Sequence, residues 1–349
     1  MKKVLIILLF GFATVLSTRA GTRTAFLAKD SVQPERVGWN GIDGDKAITA
    51  ELLDIETGDG ASGDQRNAFL RLMRLARTKS AFRTRKIRFR FYSDLAEISA
   101  RLRLYPIAMK CYYNAVHPSG EKDTAAPAIT EGDFPVDSDC DGRRLAPLPE
   151  PIQIEDLLAA FDDGREAVAY ALLAEVKQPV PGKRKSFTRI NNVGHMFITV
   201  IKYNKDNSFV CRSFGFYPHK CTLLSATPFC PRSPSVIKDD AGHDWDEAAG
   251  KFISPRCFRK IVEILRSYDH RDYDLNRSNC TDFGLTIARV GGIDITDAAG
   301  HWPLGKGNNP GSAGQSILEG KISDIDEDYT DPLFVSTNNI PHASTHIVY

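Results

Sequence analysis

The sequence predicts an α+β protein with a mostly helical N-terminal region and strands gathered in its C-terminal half. Three observations carry this. Two β-rich runs, His195 to Ile201 and Ser208 to Phe214, are joined by the turn-forming Asn204-Lys205-Asp206-Asn207 and read as a hairpin. Pro255 to Tyr268 and Thr281 to Val290 carry apolar residues at helical spacing, and the second stops at Gly291-Gly292. Far upstream, Asp64 to Arg77 sets Ala68, Phe69, Leu72, Met73 and Ala76 along one helical face.

Taken in order, residues 1–20 read as a signal peptide: Lys2 and Lys3, an apolar run from Val4 to Leu16, then Ser17-Thr18-Arg19-Ala20. That run is too short to cross a bilayer about 30 Å thick, and no later stretch approaches ~20 apolar residues. The expectation is an exported chain, secreted or periplasmic, with no integral membrane segment after cleavage. Residues 21–150 form the N-terminal region. Within it, Arg83 to Tyr92 alternates basic and aromatic residues and reads as a half-exposed strand or helix start with a solvated basic side. Ala96 to Ala115 looks helical, with Pro106 interrupting or kinking it. From His117 to Pro151 the apolar periodicity gives way to prolines, glycines and acidic residues, which marks a linker or long surface loop.

The C-terminal domain then spans residues 151–349. Glu155 to Phe161 suggests a short helix, and Ala167 to Val176 a strand, with helix as the alternative for so apolar a run. His301-Trp302-Pro303 and the glycines after it read as an irregular surface loop, with the rim of a cleft as the alternative.

The chain has 349 residues, 42% hydrophobic and 26% charged, with a formal net charge of +1. Losing Lys2, Lys3 and Arg19 would leave 42 basic residues against 44 acidic ones, a net −2. This excludes the strongly basic field of a dedicated nucleic-acid binder. Seven cysteines stand at 111, 140, 211, 221, 230, 257 and 280. In an oxidising compartment disulfides are the default, so six would pair, Cys111 with Cys140 among the options, and one would be left over.

Cys280 is the strongest candidate for that free thiol. With Asn279 as N-cap it becomes the first residue of a helix, and Asp282 completes a weak variant of the capping box. Backbone N–H groups and the partial positive charge of a helix start favour thiolate over thiol. Among the eight histidines, His195 is the best base, because it begins a strand that would fix its ring, and Gly194 before it leaves room for close approach. Other motifs are weaker. Gly242-His243-Asp244-Trp245-Asp246 lacks a second histidine or a cysteine at zinc spacing and reads as a polar loop. Asp324, Asp326, Glu327 and Asp328 lack the glycine and terminal glutamate of a calcium loop. Gly305-Lys306-Gly307 is not a phosphate loop.

Gly194-His195-Met196-Phe197-Ile198, Ser213-Phe214-Gly215-Phe216-Tyr217-Pro218, and Tyr273-Asp274-Leu275 through Asn279-Cys280-Thr281-Asp282-Phe283 resemble circularly permuted NlpC/P60 proteins, which are papain-like cysteine hydrolases and acyltransferases. The similarity covers roughly residues 165–295. It implies an antiparallel sheet packed on helices and a base that precedes the nucleophile, as His195 precedes Cys280 by 85 residues. It also implies a third polar residue, on the strand after the histidine, that orients the imidazole. Arg212 or Ser213 shares the face of His195 according to the hairpin register, and Ser213 is the choice made here. The substrate so implied is a peptide or amide bond, with cell-wall peptides of peptidoglycan as one source and no metal or organic cofactor needed. Lipid acyl transfer or thioester hydrolysis is the second enzymatic option. A disulfide-stabilised binding module without chemistry is the alternative from another class. Oligomeric state is not indicated.

Overall fold

The computed structural model describes residues 85–117, 129–130, 133, 150–188, 192–219, 222, 224–326 and 331–338. The expected signal peptide, the helix at 64–77, most of the linker, and Cys140 and Cys221 lie outside these residues.

Six strands form one antiparallel sheet in the order β12-β6-β1-β2-β3-β5: β1 (Ala167–Lys177), β2 (His195–Asn204), β3 (Phe209–Pro218), β5 (Ser235–Asp239), β6 (Glu247–Ile253) and β12 (Phe334–Thr337). The apolar run at 167–177 is a central strand and not a helix. Strand residues alternate faces, and both faces here are covered, so every position can be apolar. Ala171 and Leu173 enter one core, Leu172, Ala174 and Val176 the other. The same split on β2 sends Phe197, Ile201 and Tyr203 to the first core and Met196, Ile198 and Val200 to the second.

Two helices, α1 (Arg85–Arg101) and α2 (Tyr105–Val116), cover the first face. The basic-aromatic run is therefore the start of a helix. Phe91 and Leu95 face the core, while Arg88 lies over the Tyr92 ring at 5.6 Å. Pro106 does not kink a long helix but opens a new one, since its fixed φ and missing N–H suit a helix's first turn. Arg103, at φ 59°, makes the turn between the two. Because Phe91, Tyr105, Met109 and Tyr112 share one core with Leu173, Phe197 and Phe334, these helices build on the sheet itself. A boundary near residue 150 thus divides the chain without dividing its core. The buried pair Lys110–Asp133, at 2.6 Å, and the Tyr203 hydroxyl, donating to the Pro106 carbonyl at 2.8 Å, fix α2 in place.

The second face carries α3 (Ile154–Ala159), α4 (Pro255–Tyr268), α5 (Cys280–Val290) and α6 (Pro310–Leu318). Three short pairs complete the domain: β4 (Arg232–Ser233) with β7 (Tyr273–Asp274), β8 (Ile293–Ile295) with β11 (Ile322–Asp324), and β9 (Ala299–Trp302) with β10 (Gly305–Asn308). His301 and Trp302 thus belong to a regular hairpin and not to an irregular loop. The reason is Asn276, which packs so closely on Gly305 and Gly307 that neither position has room for a Cβ. No helix among the described residues is long and apolar enough to cross a membrane.

Candidate active site

The helix that presents Cys280 is held at its first turn. The Asn279 side chain accepts the N–H groups of Thr281 at 2.8 Å and Asp282 at 3.1 Å, and Asp282 Oδ2 accepts the Asn279 N–H at 3.0 Å. This reciprocal box satisfies donors that a helix start otherwise leaves open. Asn279 Nδ2 also donates to the carbonyls of Leu275 at 3.0 Å and Asn308 at 2.8 Å, so the loops on either side are pinned to the same residue. Along the helix, Gly284 lets α5 lie directly on β2: a Cβ there would meet the Met196 side chain at 2.6 Å. Cys280 is buried as a result.

His195 is delivered by β2. Gly194 has φ +73°, and a Cβ on it would stand 2.4 Å from the Lys177 carbonyl, so only glycine makes this approach. The His195 ring lies 4.3 Å from the Tyr217 ring and 5.0 Å from that of His243.

The structure brings two of the three residues expected from sequence together and places the third elsewhere. His195 and Cys280 come close enough that each shifts the other's pKa, His195 upward and Cys280 downward. Ser213 does share the face of His195, because Thr199 lies opposite it in the register and Thr199 sits on that face. It stands too far along the strand, however, and its hydroxyl pairs with Thr199 at 2.7 Å, not with the imidazole.

The group behind the ring is Asp240, just past β5, whose Oδ2 is 3.0 Å from His195 Nε2. Its Oδ1 accepts the Tyr217 hydroxyl at 2.5 Å, and its backbone N–H donates to the Ser213 carbonyl at 2.9 Å. Gly215 lets the two side chains meet across β3: a Cβ there would lie 2.2 Å from Asp240 Oδ2 and 2.4 Å from His195 Nε2. Sequence reasoning passed over Asp240, although Lys238-Asp239-Asp240 closes a β-rich run just before His243.

The electrostatics follow from this geometry. Burial alone would lower the His195 pKa, but the charge and hydrogen bond of Asp240, together with Cys280, push it up to about 10. Burial would raise the Cys280 thiol. The neighbouring His195 outweighs it and holds the thiol below its ordinary value. With Nε2 engaged by Asp240, Nδ1 is the nitrogen left for sulfur. Both shifts favour the ion pair of thiolate and imidazolium over the neutral pair. His243 is pushed toward the neutral form by burial and by the neighbouring His195.

Tyr273 was quoted in the sequence motif without a role. Burial, followed by the charge of the neighbouring Cys280, keeps its phenol protonated. An oxygen bound to the carbon under attack would find the Cys280 N–H and the Tyr273 O–H as donors.

The remaining motifs settle into structural roles. Cys111, Cys211, Cys230 and Cys257 are free thiols, as is Cys280. The expected pairing of six cysteines therefore does not hold in this structure, and Cys111 keeps its thiol buried in the core. No cluster of three metal-ligating side chains occurs among the described residues. Asp246, in the His243 loop, holds Lys177 at 2.7 Å and the Gln178 N–H at 2.7 Å. Asp324 holds the buried Lys251 at 2.6 Å. An open cleft of about 490 Å³, lined by Arg271, Arg277, Asp282 and Arg289, runs along the solvent side of α5, and neither Cys280 nor His195 lines it.

Comparison with protein-family models, with curated proteins and with solved structures returns no match.

Proposed function

We propose that this protein is a cysteine hydrolase of papain-like type that cleaves amide or peptide bonds through an acyl-enzyme. The observation that carries the reading is the convergence of Cys280, His195 and Asp240 from three separate elements, with His195 Nε2 3.0 Å from Asp240 and the His195 and Cys280 side chains shifting each other's pKa. The Cys280 sulfur attacks the carbonyl carbon and forms a C–S bond, while the Cys280 N–H and the Tyr273 hydroxyl receive the oxyanion. As the tetrahedral centre collapses, the C–N bond breaks and the His195 proton passes to the departing nitrogen. Neutral His195 then takes a proton from water, whose oxygen attacks the thioester. The carboxylic acid leaves, and the thiolate and imidazolium return.

The Asp240 contact with the imidazole, at 3.0 Å, favours this reading over a non-catalytic binding module. The resemblance to permuted NlpC/P60 proteins favours cell-wall peptides as the substrate, and the N-terminal Lys-apolar-small pattern supports a reaction outside the cytoplasm. A thiol-directed acyl probe should label the wild type and not Cys280→Ala. Undiminished labelling of that variant removes the proposal.

A further inference from the structure

Glu175, on β1, is fully buried on the face of the sheet that carries His195, and neither carboxyl oxygen makes a hydrogen bond of ordinary geometry. It faces Thr199, whose hydroxyl is already shared with Ser213 at 2.7 Å. Ser213 in turn accepts the Asp240 N–H through its carbonyl. Phe197 of β2 lies opposite Glu175, and the cation on its own face of β1, Lys177, is paired with Asp246 at 2.7 Å. The groups that act on the carboxyl electrostatically are neutral or acidic: Thr199 from β2, Cys211 from β3, Tyr105 from α2 and Asp240 beyond β5. Ala248 of β6 lies opposite it, with Ser336 of β12 next in the row. The cation beside Tyr105, Arg103, is paired with Asp244. A carboxylate in such a place is costly, so the site favours the neutral acid, and burial, followed by the smaller effect of Asp240, pushes its pKa up to about 8.

We propose that Glu175 is a positioning residue that acts on His195 through Asp240, and that the site works with Glu175 protonated. This rests on the catalytic reading of Cys280 and His195. In the neutral form Glu175 leaves Asp240 as the single negative charge behind the imidazolium. When it ionises, a second charge on the same side strengthens the hold on the His195 proton. That proton must pass to the leaving group, so turnover declines on the alkaline side.

The test is a pair of NMR titrations on the full chain, following the Glu175 side-chain carboxyl carbon and the His195 ring carbon Cε1, neither of which needs a substrate. The expected result is a Glu175 carboxyl still protonated at pH 7, and a step in the His195 signal as that carboxyl ionises. In Glu175→Gln the step disappears and His195 loses its proton about half a pH unit or more below the wild type, while Glu175→Asp restores the step. A Glu175 carboxyl titrating in the ordinary glutamate range overturns the proposal, and so does a folded Glu175→Gln whose His195 curve overlays the wild type. Should that variant not fold, a wild-type His195 signal with no inflection at the Glu175 ionisation overturns it equally. Failure of the hydrolase reading appears separately, as acyl labelling that survives Cys280→Ala.

Discussion

At the scale of single residues, the proposed chemistry turns on Asp240. Its carboxylate fixes Nε2 of His195 and leaves the other ring nitrogen to sulfur. Asp240→Asn removes the charge that sustains the imidazolium, so the His195 pKa falls and that of Cys280 rises. The expected loss in kcat/KM is about 10² to 10⁴, by analogy with removal of the orienting carboxylate from other triads. Ser213→Ala leaves the His195–Asp240 contact in place and should cost far less. It removes one buried hydroxyl contact, worth about 1 kcal/mol of stability. Parallel kinetics of the two variants decide between them, and equal losses would return the orienting role to Ser213. The contrast also shows where sequence reading stops. Cys280 and His195 are legible because a helix start and a strand start are local patterns. Asp240 is not, because its contact depends on β2 and β5 flanking β3 and on a glycine of β3 between the two side chains.

At the scale of elements, three glycines control how closely the parts of the site approach: Gly194 before β2, Gly215 in β3 and Gly284 in α5. The sequence announces the first and third as small residues beside candidate catalytic groups. The second gives no such signal, since nothing local marks the residue across from it. Gly215→Ala is therefore the sharpest test of element packing. Its methyl group enters the space between Asp240 and His195, so the variant should fold with the sheet intact and lose at least tenfold in activity. Circular dichroism with kinetics checks this, and full activity would mean that the His195–Asp240 contact is dispensable. The hairpin and the helices α3, α4 and α5 follow the predicted spacing within a few residues. The β9–β10 hairpin was misread because its regularity comes from packing on Asn276 and not from alternation of its own residues. For the same reason α1 and α2 look like a separate region in sequence, yet they close one face of the sheet.

Over the whole molecule, buried titratable groups on and beside the sheet set the pH dependence of stability. Burial raises both Glu175 and Glu247 to about 8, and Asp240 raises His195 to about 10 against its own burial. In each case the folded chain keeps a proton that the unfolded chain releases, so stability falls as pH rises. The glutamate contribution is complete below about 4.5 and lost through about 8, and the His195 contribution is complete below about 6.5 and lost through about 10. The lowered thiol of Cys280 and the lowered imidazole of His243 act in the opposite sense, two groups against three. Tm should fall between pH 6 and pH 9, and Glu247→Gln should flatten the decline. A Tm that rises across this range would show that these acids are ionised in the folded state. The central claim, that the fold stores a thiolate at Cys280, is tested most directly by the rate of Cys280 alkylation with iodoacetamide as a function of pH. The account predicts rapid alkylation well below pH 9, sharply reduced near neutrality in Asp240→Asn, with the buried Cys111 thiol slow throughout. A Cys280 that reacts only as an ordinary thiol near pH 9, with the same profile in Asp240→Asn, would contradict it.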